Sequence, residues 1–239
     1  MTEETRPTPA VVDALRYPLV RISWFLLVVL CAAGFLVLVT ISTLQSGRVM
    51  ISGRITVAAL ALVGVIVRCY FTIIEHTLIG WGKEQWQNTA VDTDDLWSSL
   101  LSMAGLACIA WVPVFAVGEL MSPYPEWREL VCQLVAALGC EYFCMGTLAL
   151  VVFNNFSQVL PHRIFPAIVK SGASFMLCGA ALVLVPMSFQ TVWNLLPATQ
   201  ATFVRALIAS SVSAYFLIAH ARFMGLLYLA NREKIGWEE

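Results

Sequence analysis

Charge is what this chain lacks. No Asp, Glu, Lys or Arg occurs between Arg21 and Arg48, between Asp95 and Glu119, between Glu141 and Arg163, or between Lys170 and Arg205. Of its 239 residues only 12% are charged, against 59% hydrophobic, which leaves no room for a soluble domain beside the apolar stretches. There is no basic block to neutralise phosphates, and with a net charge of −1 a nucleic-acid partner is excluded. No cysteine lies in a linker. The seven cysteines, Cys31, Cys69, Cys108, Cys132, Cys140, Cys144 and Cys178, all fall inside apolar runs and are odd in number. They read as small packing residues rather than a disulfide framework. A cleavable leader is also not expected, because residues 1–18 are polar and the apolar run that follows is longer than a signal h-region.

What is present is apolar length. A helix needs about 20 apolar residues to cross a hydrocarbon core of roughly 30 Å. Six runs qualify, at 21–45, 55–80, 97–121, 129–153, 166–189 and 201–229. The expected fold is therefore all-α, a polytopic transmembrane bundle of about six spans. It is flanked by an N-terminal segment (1–20), a linker (81–96) and a tail (230–239). Gly47, Gly53, Pro123, Pro125 and Pro197 mark the turns, and Trp24, Trp81, Trp97, Trp127 and Trp193 stand near span ends as an aromatic belt. Pro113 and Pro186 fall within spans, where kinks are expected.

Lys and Arg set the orientation. With the N-terminus inside, Arg6, Arg16, Arg21, Lys83, Arg163, Lys170, Arg222, Arg232 and Lys234 are cytoplasmic; Arg48, Arg54, Arg128 and Arg205 are outside. That is nine against four, so both termini are expected to be cytoplasmic. In the linker, Asp92, Asp94 and Asp95 suit the N-terminus of the third span better than a cation site, since no EF-hand glycine or distal glutamate accompanies them.

A Tyr-Phe pair recurs at Tyr70-Phe71, Tyr142-Phe143 and Tyr215-Phe216, at intervals of 72 and 73 residues, each in an even-numbered span. This spacing fits three helical hairpins repeated in parallel; a regular series of unrelated hairpins would share the period.

The ionisable residues inside the spans are few, and such groups face a bundle interior. Arg68 lies 14 residues past Arg54, and Glu141 lies 13 past Arg128. At about 1.5 Å per residue the two reach nearly the same depth, so they make the obvious ion pair. His220 lies 15 residues past Arg205; Glu75 is two turns from Arg68, with His76 beside it and Arg222 just beyond His220. A single intramembrane polar network of Arg68, Glu75, His76, Glu141, His220 and Arg222 is therefore predicted between the even spans, with Tyr70, Tyr142 and Tyr215 as donors. It serves either as a structural pin, or as a proton or ion relay or a site for anionic headgroups. In the fourth span Cys132, Ala136, Cys140 and Cys144 recur at i+4 as a ridge of small residues for close helix packing. A metal at Cys140 and Cys144 is set aside for want of a third ligand nearby.

Catalytic patterns are missing. Glu75-His76 has no second histidine at metalloprotease spacing, and Gly172-Ala173-Ser174 is followed by Phe175-Met176, so no nucleophile elbow forms. No enzyme and no cofactor is expected.

Several segments together carry a resemblance: Tyr17-Pro18 before the first span, the Asp-rich, Trp-bearing linker, Pro161 and Pro166 before the fifth span, and the ending. That ending runs Arg222-Phe223-Met224-Gly225-Leu226-Leu227-Tyr228, then Asn231-Arg232-Glu233-Lys234-Ile235-Gly236-Trp237. On these the chain resembles a loose bacterial group of uncharacterised six-helix membrane proteins, although its linker lacks a Leu-Pro-x-Trp element associated with them. The resemblance implies topology and a bacterial inner membrane, and lends no activity. The resulting expectation is a non-catalytic scaffold, assembly or accessory subunit in the lipid bilayer, with a membrane-protein partner or self-association. Its rival is a small transporter or channel using the even-span network.

Overall fold

The computed structural model describes residues 10–44, 49–79, 93–197 and 202–237. Arg6, Gly47, Arg48 and most of the linker, including Trp81, Lys83 and Asp92, lie outside these residues. The described chain is helical throughout, with one 3-10 turn: α1 (Ala10–Val20), α2 (Ile22–Leu44), α3 (Val49–Ile79), α4 (Thr93–Leu120), α5 (Pro125–Phe153), the turn Phe156–Val159, α6 (Pro161–Ser171), α7 (Ala173–Leu195) and α8 (Thr202–Ile235). Five helices, α3, α4, α5, α7 and α8, are long and apolar enough to cross a membrane. A sixth span arises where α1 and α2, bent by 75°, are taken together.

The surface is apolar. Leu101, Phe115, Leu134, Leu138, Val169 and Leu177 all stand exposed. In water so continuous an apolar surface would drive association; facing lipid it has no cost. A multi-pass membrane protein built as a helical bundle accounts for both the length and the outer face of these helices.

The tightest neighbours are the successive pairs α2–α3, α4–α5 and α7–α8, each a helical hairpin. The even-numbered spans, α3, α5 and α8, are central. Of their most apolar windows 44%, 61% and 44% of residues are buried, against 11% in α4 and 17% in α7. The closest approaches use glycine. A Cβ on Gly139 of α5 would come within 2.9 Å of the Ala110 carbonyl oxygen on α4, so any side chain there would push the two backbones apart.

Two boundaries differ from the sequence expectation. The fifth span does not begin at 166. Pro161 opens α6, a short amphipathic helix that buries Ile164, Ala167 and Ser171, and Gly172 closes it at φ 62°, ψ −150°, backbone only glycine takes without strain. The membrane-crossing helix starts afresh at Ala173 and runs to Leu195. The N-terminal segment is not merely a leader to the first span. From Ala10 it is helical, and it packs chiefly on α8. Pro113 and Pro186 lie inside α4 and α7, which continue through them. Beside Pro186, Ser188 of α7 and Ser213 of α8 both donate to the Val185 carbonyl, at 2.7 and 3.0 Å, and the second bond ties α8 to α7 there.

The α8 helix of 34 residues is about 51 Å long at ~1.5 Å per residue, longer than a bilayer core. Its surplus docks rather than projecting. Trp237 packs edge-on against Phe153 of α5, with ring centroids 5.5 Å apart, and lies 5.9 Å from Tyr228.

A candidate site where four helices meet

The six residues expected to share one network fall into separate contacts. Equal depth does not give equal direction: a residue every 100° around a helix can face any neighbour, and the three central helices turn their polar groups to different sides.

Arg68 and Glu75 lie two turns apart on α3, and Nη1 stands 3.2 Å from Oε1. They line a cleft of about 580 Å³ together with Ser98, Ser99 and Ser102 of α4 and Asn154 and Asn155 after α5. Serines and asparagines there give the cleft a hydrogen-bonding wall at one end of the bundle. His76, next in the chain, is turned inward and buried at 4% exposure.

Glu141 does not pair with Arg68. Its carboxyl rests on Gly179 of α7, where a built Cβ would come within 2.9 Å of the carboxyl carbon. The residue is buried, and its Oε2 has no hydrogen-bond partner. Gly179 is thus the residue that admits a carboxylate into the α5–α7 seam.

Arg222 holds the N-terminal helix. Its Nη2 lies 2.9 Å from the Asp13 carboxylate, Nη1 donates to Thr77 Oγ1 at 3.2 Å, and the guanidinium sits 5.1 Å from the Tyr17 ring centroid. One side chain of α8 therefore ties α1 to α3. Gly225, one turn on, keeps α8 close to the same Thr77.

His220 belongs to a fourth group. Its Nδ1 is 2.6 Å from Tyr70 Oη, with the two rings nearly parallel at 11°. Its Nε2 lies 3.0 Å from the Cys178 carbonyl oxygen, 3.5 Å from Cys178 Sγ and 3.9 Å from Cys144 Sγ. The network assigns the tautomer: Nε2–H donates to the carbonyl, and Nδ1 accepts from the tyrosine hydroxyl. Cys144 and Cys178 are fully buried, and Tyr70 and His220 nearly so. The four residues come from α3, α5, α7 and α8. Small neighbours make the meeting feasible: Ala219 and Ala221 flank His220, and Gly179 follows Cys178.

The cysteine ridge of α5 turns as it descends. Four residues advance a helix by about 400°, so an i+4 row drifts roughly 40° per step and 120° over three steps. Accordingly Cys132 lies near Gly118 of α4, whereas Cys144 at the other end meets Cys178 and His220. Ala136 is half-buried between them and Cys140 is buried. The thiols that gather with His220 are thus Cys144 and Cys178, not Cys140 and Cys144.

The three tyrosines of the Tyr-Phe pairs all donate, each to a different partner. Tyr70 serves His220, Tyr142 the Val159 carbonyl and Tyr215 the Leu15 carbonyl at 2.5 Å. Asp13 was not singled out by the sequence, and Tyr17 and Cys178 were not among the residues expected in the polar network; Cys178 lies five residues into α7.

No family model matches the chain, and neither a curated protein nor a solved structure is significantly similar to it.

Proposed function

We propose that the protein is a non-catalytic scaffold, assembly or accessory subunit of a membrane complex. The reading places it in a bacterial inner membrane, both termini cytoplasmic, in keeping with the nine-to-four bias of Lys and Arg. The observation that carries it is the closed contact of Glu141 on Gly179. A conducting path would need polar groups along the length of the bundle. Here Glu141, the most buried acidic side chain among the described residues, is walled in by a neighbouring helix and does not line the Arg68–Glu75 cleft. The polar residues are spent on holding helices together: Arg222 on α1 and α3, His220 on α3 and α7. The bilayer and a membrane-protein partner, or a second copy, are the partners of such a subunit; nucleic acid is not.

A small transporter or channel is the second reading, favoured by the polar cleft at Arg68 and Glu75. Reconstitution separates the two. Proteoliposomes carrying the purified protein should leak protons, Na⁺ and K⁺ no faster than empty vesicles, and the protein should migrate in native membranes in a complex larger than its own mass. Flux above background that disappears in Arg68→Ala or Glu75→Gln would overturn the scaffold reading.

A further inference from the structure

We propose that Cys144, Cys178 and His220 form a structural site for one zinc ion at the junction of α5, α7 and α8.

Three side chains that bind thiophilic cations, two cysteines and a histidine, converge with their donor atoms within 4.8 Å of one another, all buried. The spacing is that of ligands sharing an ion. Bonds of ~2.0–2.1 Å to nitrogen and ~2.3 Å to sulfur in tetrahedral or trigonal geometry hold the two donor atoms roughly 3.5–3.8 Å apart. His220 Nε2 stands 3.5 and 3.9 Å from the two sulfurs. Packing alone does not require both thiols to face the same ring nitrogen.

The surroundings fit a ligating histidine. Metal-bound imidazoles engage their second nitrogen in a hydrogen bond that fixes the ring. Tyr70 Oη already stands 2.6 Å from Nδ1, on the far side of the ring from the thiols. Binding through Nε2 exchanges the tautomer: Nδ1 carries the proton and donates to the tyrosine oxygen, and Nε2 turns its lone pair to the ion. The reaction balances as Zn²⁺ plus two thiols giving a dithiolate complex, with two protons released to water and no change of oxidation state.

Charge selects the ion. Two thiolates and a neutral imidazole around Zn²⁺ sum to zero, as a site closed to water demands, whereas the same ligands around Cu⁺ leave a buried negative charge. The cavity that reaches His220 from outside, about 410 Å³ between α1, α7 and α8, is otherwise apolar, lined by Leu15, Leu177, Phe216 and Phe223 among others. An ion must shed its water to pass such a wall, so exchange is slow and the ion acts as a staple rather than as cargo. This inference stands apart from the scaffold reading, and either can fail without the other.

The test uses the full-length protein in mild detergent, reduced with a non-thiol phosphine and titrated with Co²⁺ and then Zn²⁺. Wild type should develop the near-ultraviolet thiolate-to-cobalt absorption at one equivalent, and Zn²⁺ should bleach it and raise the melting temperature. Cys144→Ser, Cys178→Ser and His220→Ala should lose the signal, Cys140→Ser should keep it, and Tyr70→Phe should weaken Zn²⁺ binding by about 10–100-fold. Absence of Co²⁺ and Zn²⁺ binding by the reduced wild type overturns the proposal, whatever the variants do. So does a thiolate signal that survives in folded Cys144→Ser and Cys178→Ser, or binding of Cu⁺ alone.

Discussion

Tyr70 on α3 and His220 on α8 are 150 residues apart in the chain and joined by a 2.6 Å hydrogen bond inside the bundle. Removing the hydroxyl leaves the buried Nδ1 without its donor. An acceptor stranded in this way costs about 1–3 kcal/mol. Tyr70→Phe should therefore lower the melting temperature in detergent by several degrees. A variant that melts with the parent would show that the bond adds nothing to the fold.

The seam between α5 and α7 should behave as a coupled pair. Gly179→Ala puts a methyl where the Glu141 carboxyl lies, and overpacking of this kind costs about 1–3 kcal/mol. Glu141→Ala clears the space. The double variant should then be more stable than Gly179→Ala alone, a non-additivity read from thermal unfolding of all four proteins. Strict additivity would mean that the two residues do not touch.

Charge exchange discriminates the observed ion pair from the one that depth alone suggests. Arg68→Glu combined with Glu75→Arg keeps opposite charges two turns apart on α3, and should retain most of the stability that either single change removes. Arg68→Glu combined with Glu141→Arg should not recover it, because it sets a guanidinium against Gly179. Recovery by the second exchange would place Arg68 and Glu141 in contact after all.

Arg222→Ala should release α1. The ion pair to Asp13 is partly exposed, and pairs of that kind contribute roughly 0–1 kcal/mol, so Asp13→Asn alone should do little. Arg222 also holds Thr77 and lies over Tyr17, and its loss removes all three contacts. Amide exchange in residues 10–20 should accelerate in Arg222→Ala, with α5 unaffected. Unchanged exchange in that helix would show that other contacts hold it.

The spans were legible because hydrocarbon thickness imposes a length, and a chain with four uncharged gaps this long has few other uses for them. Counting from Arg54, Arg128 and Arg205 predicts one level for Arg68, Glu141 and His220, and gives no direction. A depth count says nothing about which way a side chain faces, so Arg68 turned to Glu75 within its own helix and Glu141 turned to a glycine in the next. The start of the fifth span was misplaced because hydropathy runs on through Ile164, Phe165, Ala167, Ile168 and Val169, whereas the break depends on one backbone conformation at Gly172. Asp13 escaped notice for a different reason. A carboxylate in a polar N-terminal segment looks solvated, and only the approach of Arg222 from α8 gives it a partner.

The hold that α8 has on α1 also orders events in time. Tyr215 reaches back 200 residues to Leu15, and Arg222 reaches back 209 to Asp13. At roughly 5–20 residues per second, α1 leaves the ribosome some 10–40 s before its clasp is synthesised. Through that interval α1 waits for α8. A chain cut short before α8 lacks both the Tyr215 and the Arg222 contacts to α1.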